Sequence, residues 1–288
     1  MKSEQLSVKS AEQPKHIDIS VLSFDFLSEE KIKKYYSKDK MYQEKLRPVN
    51  VLRTARELAD KTEEIKEAIA RRLGKFLPEW RLDRTVLNLT ITELGNWTIK
   101  DVKNRTIIEG DLETAALSGD PFESIVRGAT HEIFHLWMEE KHRKSEKKAW
   151  YAEDLSGLSD QELKEKMIFT TIDEGLASKI CDQSLEQSLS GVYEPQGKDY
   201  AEYVRESFWI FNEFIKAANR DELNKFFVKN LFTNFSVVGN EIAKIVLEKV
   251  GIDNFKKMIE GARNNPGVFF DAYKAICVKN PELPEVEI

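Results

Sequence analysis

Apolar positions recur at helical spacing from residue 120 to the C-terminus, while the part before it mixes that spacing with strand-like alternation. Near the start, Ile17, Ile19 and Val21 alternate with polar residues, and Leu22, Phe24 and Phe26 continue in the opposite phase. That shift of phase predicts a strand with a bulge. Ser28 ahead of Glu29 and Glu30 marks a helix start. Val51, Ala55, Leu58, Ile65, Ile69 and Leu73 then predict one long helix over 49–76, with Pro48 near its start, where proline is tolerated. Leu87, Leu89 and Ile91 alternate with Asn88, Thr90 and Thr92, the pattern of a half-buried strand. Gly95-Asn96 signals a turn, and 97–102 and 105–109 pair as a hairpin across Lys103-Asn104.

After Gly119-Asp120-Pro121 the pattern is helical throughout, with breaks expected near 156–159, 190–197, Gly239, Gly251 and 264–267. The fold class expected is therefore α+β, with a mixed α/β N-terminal half carrying a small sheet and a mostly helical C-terminal half. The expected organisation is a flexible segment over 1–15, an α/β subdomain over 16–145 and a helical subdomain over 146–288. Internal repeats and Gly/Ser- or Pro-rich linkers are lacking.

Composition narrows the chemistry. The 288 residues include 44 Lys and Arg against 50 Asp and Glu, a net charge of −6, which argues against a nucleic-acid partner. The first twenty residues lack the apolar run of a secretion signal, and no stretch approaches the ~20 apolar residues of a membrane span. A cytoplasmic protein without a membrane partner is expected. Two cysteines, 181 and 277, are too few for a disulfide framework or a cysteine-based zinc site. A metal site must therefore draw on four histidines and the carboxylates.

The segment 128–138 holds His131-Glu132-Ile-Phe-His135 inside a helical pattern, with Asp120 and Pro121 as cap and first turn. Positions i and i+4 share a helix face, so His131 and His135 can grip one ion. Glu132 is one position round, beside such an ion and able to take a proton from water there. Zinc suits imidazole and carboxylate ligands. A catalytic site needs a third ligand. His142 lies seven residues past His135, about 10.5 Å along a continuing helix, too far to share the ion. Met138 and Lys141 stand where a metzincin turn would need glycine and histidine. His142 reads as a surface residue in a basic helix end, and His16 as a strand-start or surface residue.

Glu174 lies in Thr170-Thr171-Ile172-Asp173-Glu174-Gly175-Leu176-Ala177-Ser178. Thr170 with Asp173, or Thr171 with Glu174, resembles a capping arrangement, so a helix is expected to begin here. Ile172, Leu176, Ile180 and Leu185 give it an apolar stripe. Gly175 weakens a helix, and close approach of another helix would explain it. On local grounds Glu174 suits a helix N-terminus, where acids are favoured, as well as it suits a metal.

His131-Glu132-x-x-His135 followed by Asp173-Glu174-Gly175-x-Ala177 resembles the gluzincin group of zinc metallopeptidases, over residues 85–190. The resemblance implies one zinc ion held by His131, His135 and Glu174 on a thermolysin-like active-site helix, with Glu132 as general base. It implies a cleft between an α/β half and a helical half, and an edge strand that binds substrate backbone by strand addition. Residues 105–110 would be that edge, with Ile107, Ile108 and Glu109 against the substrate. It also implies a tyrosine or histidine facing the oxyanion. Tyr193, Tyr200 and Tyr203 are available; Tyr200 shares a stripe with Val204, Phe208, Phe211 and Ile215 and reads as core, Tyr203 lies a quarter-turn off that stripe and is the candidate named for the role, and Tyr193 stays open.

Two features depart from better-known members. The Gly-x-Met-Glu-Asn segment of the aminopeptidase branch is lacking, and 38 residues lie between His135 and Glu174, more than in thermolysin-like members. The extra segment, about 143–169, is placed to line or cover the cleft. The function expected is a zinc-dependent metallopeptidase acting on a peptide or protein. The alternative is a catalytically silent, regulatory zinc-binding protein of the same fold, with the aromatics of 208–214 and 226–235 as surface rather than core.

Overall fold

Alternation of Thr85, Leu87 and Leu89 with half-buried neighbours builds the centre of the sheet. In a computed structural model, which describes residues 17–37, 47–82, 85–90, 97–102, 105–143, 157–227 and 231–288, these three side chains are buried. The elements run β1 (Ile17–Asp18), β2 (Ser23–Phe26), α1 (Glu29–Ser37), α2 (Arg47–Asp60), α3 (Thr62–Gly74), β3 (Trp80–Arg81), β4 (Thr85–Thr90), β5 (Thr98–Val102) and β6 (Arg105–Asp111). The helical part follows as α4 (Leu112–Leu117), α5 (Pro121–Arg143), α6 (Asp160–Ile180), α7 (Leu185–Tyr193), α8 (Tyr200–Lys216), α9 (Arg220–Phe227), α10 (Leu231–Asn264) and α11 (Gly267–Cys277). The chain is α+β with a helical C-terminal half. The expected flexible segment 1–15, His16, Ile91, the turns at 95–96 and 103–104 and the side chain of His142 lie outside the described residues.

β1 pairs in parallel with β3, and a second, mixed sheet has the order β2-β4-β6-β5. The expected bulged strand is instead two short strands in different sheets. A turn separates them, closed by Leu22 N–H to Ile19 O at 2.9 Å, with Asp18 Oδ1 accepting from Ser20 N–H. The expected helix over 49–76 is interrupted at Lys61, where φ −106 and ψ 17 leave the helical region.

The hairpin of β5 and β6 forms as expected, but it folds with β5 outside. Ile107, Ile108 and Glu109 pair with Val86, Leu87 and Asn88 on one side and with Lys100, Ile99 and Thr98 on the other. With both sides of its backbone in ladders, 105–110 is not an edge; among the described residues the edge strands of this sheet are β2 and β5.

One hydrophobic cluster runs from Ile17 through Ile69, Leu87, Phe134, Ile172 and Phe211 to Val286, joining the two halves. Phe208, Phe211, Phe214 and Phe235 belong to this core, while Phe232 is 48% exposed. Gly239, expected at a break, lies inside α10, where the α6 backbone crosses it. A Cβ on Gly239 would sit 1.8 Å from Thr171 O, and one on Gly175 would sit 2.2 Å from Gly239 C. The close helix approach expected at Gly175 is therefore present. Gly251 does break the helix, with φ 76 and ψ 169.

The crossing predicts a large cost for one methyl group. Gly239→Ala should lower the Tm by about 10 °C, since backbone cannot yield as a side-chain tip does. Gly119, with nothing within 4 Å of a Cβ, is the control, and Gly119→Ala should shift stability by no more than about 0.5 kcal/mol. Equal melting curves for the two variants would refute the packing argument.

Candidate metal centre

α5 carries the first two candidates. Ile125, Val126, Ala129, Ile133, Phe134 and Trp137 bury one side of it, and the Arg263 guanidinium lies 4.3 Å from the Trp137 ring while bonding Glu140 at 2.8 Å. Half-buried Trp97, just ahead of β5, packs against the helix at Gly128, where a Cβ would come within 2.1 Å of the indole. A glycine one turn before His131 lets the indole approach that close.

α6 carries the third candidate, though its start differs from expectation. Residues 170–174 are mid-helix. The true cap is Ser159, whose hydroxyl accepts from Glu162 N–H while the Glu162 carboxylate accepts from Ser159 N–H. Thr171 instead donates its hydroxyl back to Met167 O at 2.8 Å, within the helix. Residues 160–169 of the expected extra segment are thus helix, and 144–156 lie outside the described residues.

The two helices bring together the residues that 38 positions separate. Among the described residues His131, His135 and Glu174 form a group that could hold a metal ion, their ligand atoms all within 4.8 Å of one another. Glu174 Oε2 lies 3.3 Å from His131 Nε2 and Oε1 lies 3.6 Å from His135 Nε2. Two donors about 2.0–2.1 Å from a tetrahedral zinc stand about 3.3 Å apart, so the set fits that ion. The imidazoles meet edge-on, 4.6 Å between centroids.

Two side chains outside the expected set complete the surroundings. Asp173 is 1% exposed, and its Oδ2 lies 2.8 Å from His135 Nδ1, which leaves Nε2 for a metal. In sequence, Asp173 after Thr170 resembles a cap, and nothing local distinguishes a cap from an orienting carboxylate. Cys181 Sγ lies 3.9 Å from His131 Nδ1. Tyr203 lies on α8, whereas this group sits on α5 and α6. It is 3% exposed in a small cluster with Leu185, Tyr193 and Val237, its ring stacked on Tyr193 at 5.9 Å. The buried residues of α8 are Tyr203, Ser207, Phe208, Ile210, Phe211 and Phe214, while Tyr200 is half-buried and donates its hydroxyl to Glu241 at 3.0 Å.

Charge follows from packing. Burial opposes the charged form of His135, but Asp173 and Glu174 outweigh it and lift the imidazole to about 9. Burial likewise opposes a charged His131, and its bonds to Cys181 and Glu174 hold it well above its ordinary value. Burial pushes the Glu174 carboxyl up, yet the two histidines pull it down to about 2. Burial is also the main reason that the Glu132 carboxyl is raised.

These shifts predict a proton-coupled metal uptake. At pH 7 both imidazoles carry protons when no metal is present, and ligation needs them neutral, so zinc binding should release close to two protons, about one per imidazole. Affinity should climb with pH until it passes about 9. The metal-free fold runs the other way. A raised histidine pKa gives stability that is complete below about 6.5 and is lost as pH rises through about 9. Calorimetric zinc titrations in buffers of differing ionisation enthalpy count the protons, and a count near zero would refute the assignment.

Among the described residues no helix is long and apolar enough to cross a membrane. No curated protein and no solved structure matches the chain. One family model does, across residues 3–282, and its description names zinc, an ion that the group of His131, His135 and Glu174 could hold. By that match over nearly its whole length, the chain belongs to the family described as "Putative zinc dependent peptidase (DUF5700)".

Proposed function

We propose that the protein is a zinc-dependent peptidase of gluzincin type, with His131, His135 and Glu174 as ligands of one zinc ion and Glu132 as general base. The observation that carries the reading is the meeting of Glu174 with both Nε2 atoms, at 3.3 and 3.6 Å, from a helix far along the chain. When bound, zinc supplies Lewis-acid polarisation of a carbonyl and a lowered pKa for water. Glu132, next to His131 and 9% exposed, would accept the proton of the attacking water and return it to the leaving amine. Its raised pKa moves it toward the working pH, where acceptance and donation are both feasible. Asp173 fixes the ring orientation and tautomer of His135.

The substrate is a peptide or protein. Its backbone would pair along the outer side of β5, an edge strand among the described residues that follows Trp97, whose indole packs on α5 at Gly128. Metal analysis of the purified protein should give one zinc per chain, and casein or short peptides should be cleaved in a chelator-sensitive way. Stoichiometric zinc with no hydrolysis of casein or peptides would turn the reading to a binding module. A chain that takes up no zinc would overturn it.

A further inference from the structure

Cys181 faces a zinc-ligand candidate rather than the solvent. It lies seven residues after Glu174, two helical turns on, so both occupy one stripe of α6 and its C-cap. From that stripe Glu174 Oε2 approaches His131 Nε2 at 3.3 Å, and Cys181 Sγ approaches Nδ1 of the same ring at 3.9 Å. The thiol is 1% exposed and is itself fixed: it donates S–H to Ser178 O at 3.3 Å. The backbone of Cys181 is held as well, because Arg72 Nη1 donates to its carbonyl at 3.2 Å while Nη2 bonds Glu123 at 2.8 Å. Glu123 lies on α5, the helix that bears His131, so Arg72 of α3 ties the end of α6 to that helix, and Arg127, four residues on in α5, bonds the same carboxylate at 2.6 Å.

We propose that Cys181 is a positioning residue for His131: its sulfur accepts Nδ1–H, which sets the tautomer that offers Nε2 to the metal. The chain of donors runs in one direction, from His131 Nδ1–H to Sγ and from the thiol to Ser178 O. The two imidazoles are then oriented by unlike groups, a buried carboxylate for His135 and a thiol for His131. Sulfur is a weak acceptor, so His131 is the less electron-rich ligand of the pair. The inference rests on the zinc reading above.

The test measures zinc affinity by competition with a chromophoric chelator, and the d–d spectrum of the cobalt(II)-loaded protein, for wild type, Cys181→Ala and Cys181→Asn. Asparagine is close to cysteine in volume, its amide oxygen can accept Nδ1–H, and its NH₂ can donate to Ser178 O. The alanine variant should bind zinc about 10–100-fold more weakly, with shifted cobalt bands, and asparagine should recover most of the loss. A role in packing alone would lower the metal-free and zinc-loaded Tm equally and leave the cobalt bands in place, which would overturn the proposal. So would a sulfur-to-cobalt charge-transfer band in wild type that is lost in Cys181→Ala, since the thiol would then be a ligand. Wild-type protein that binds neither ion overturns the zinc reading and this inference with it. Normal wild-type binding beside an indistinguishable alanine variant overturns this inference alone.

Discussion

Glu132→Gln should bind zinc as wild type does and lose about 10²–10⁴ in kcat, the range for removing a general base. The amide keeps the length and volume of the carboxylate, so the site at the His131 end of the motif stays filled. What it lacks is a basic oxygen. Because Glu132 is 9% exposed and burial raises its pKa, removing its charge also removes a desolvation cost. The variant should therefore be at least as stable as wild type, which separates a catalytic loss from a folding loss. The pH profile adds a second reading. The acid limb of kcat/KM in wild type should lie above the usual carboxylate range, because Glu132 titrates upward of it, and should vanish from the residual activity of the variant. Turnover by Glu132→Gln close to that of wild type would remove Glu132 from the chemistry while leaving the metal site intact.

The His131–His135 pair was legible because chemistry and helical period coincide: two ligands of one ion on one helix must be spaced by about a turn. β4 was legible for the same kind of reason, since its alternation reports one buried face. Order within the sheet was not. Alternation reveals that 105–111 is a strand, but whether its far side is free depends on where the hairpin partner folds, and β5 folds outside it. The start of α6 was misread because cap signals are local and several compete. Ser159 and Glu162 carry the same signature as the residues around Thr170, and only the apolar stripe of 163–169 joining the core decides between them.

Gly239 and Gly251 show the same ambiguity in one residue type. The first admits a crossing backbone and the second adopts a positive φ, and the sequence writes both as glycine. α8 buries Phe208 and Phe211 of the expected stripe and also Tyr203, Ser207, Ile210 and Phe214 beside it, so periodicity alone does not separate Tyr203 from the core. Asp173 and Cys181 escaped because orienting groups have no motif of their own. Each becomes readable only after Glu174 is placed, one by adjacency and the other by a two-turn repeat.

Glu174→Ala should abolish stoichiometric zinc. Losing an outer partner of a ligand costs up to about 100-fold in affinity, so losing an anionic ligand should cost more than that. A catalytic zinc left with two imidazoles also lacks the three protein donors such sites require. The same substitution has a consequence without metal. Glu174 is the countercharge of both imidazoles, held at about 2 by them, and with Asp173 it lifts His135 to about 9.

A depressed carboxylate gives stability above its ordinary pKa that is lost as pH falls through about 2. The raised histidines give stability below about 6.5 that is lost as pH rises through about 9. Both contributions are in force between about 4.5 and 6.5, where metal-free Glu174→Ala should fall furthest below wild type, by a few kcal/mol at most for a pair partly open to water. The gap should narrow toward pH 9, because the histidines lose their charge with or without the partner. Calorimetry across that range, run with chelator, therefore reads the pairing, and metal analysis reads the ligation. Zinc retained at wild-type affinity would place the third ligand elsewhere. Zinc lost together with a pH-dependent gap of the stated sign would assign both roles to one carboxylate.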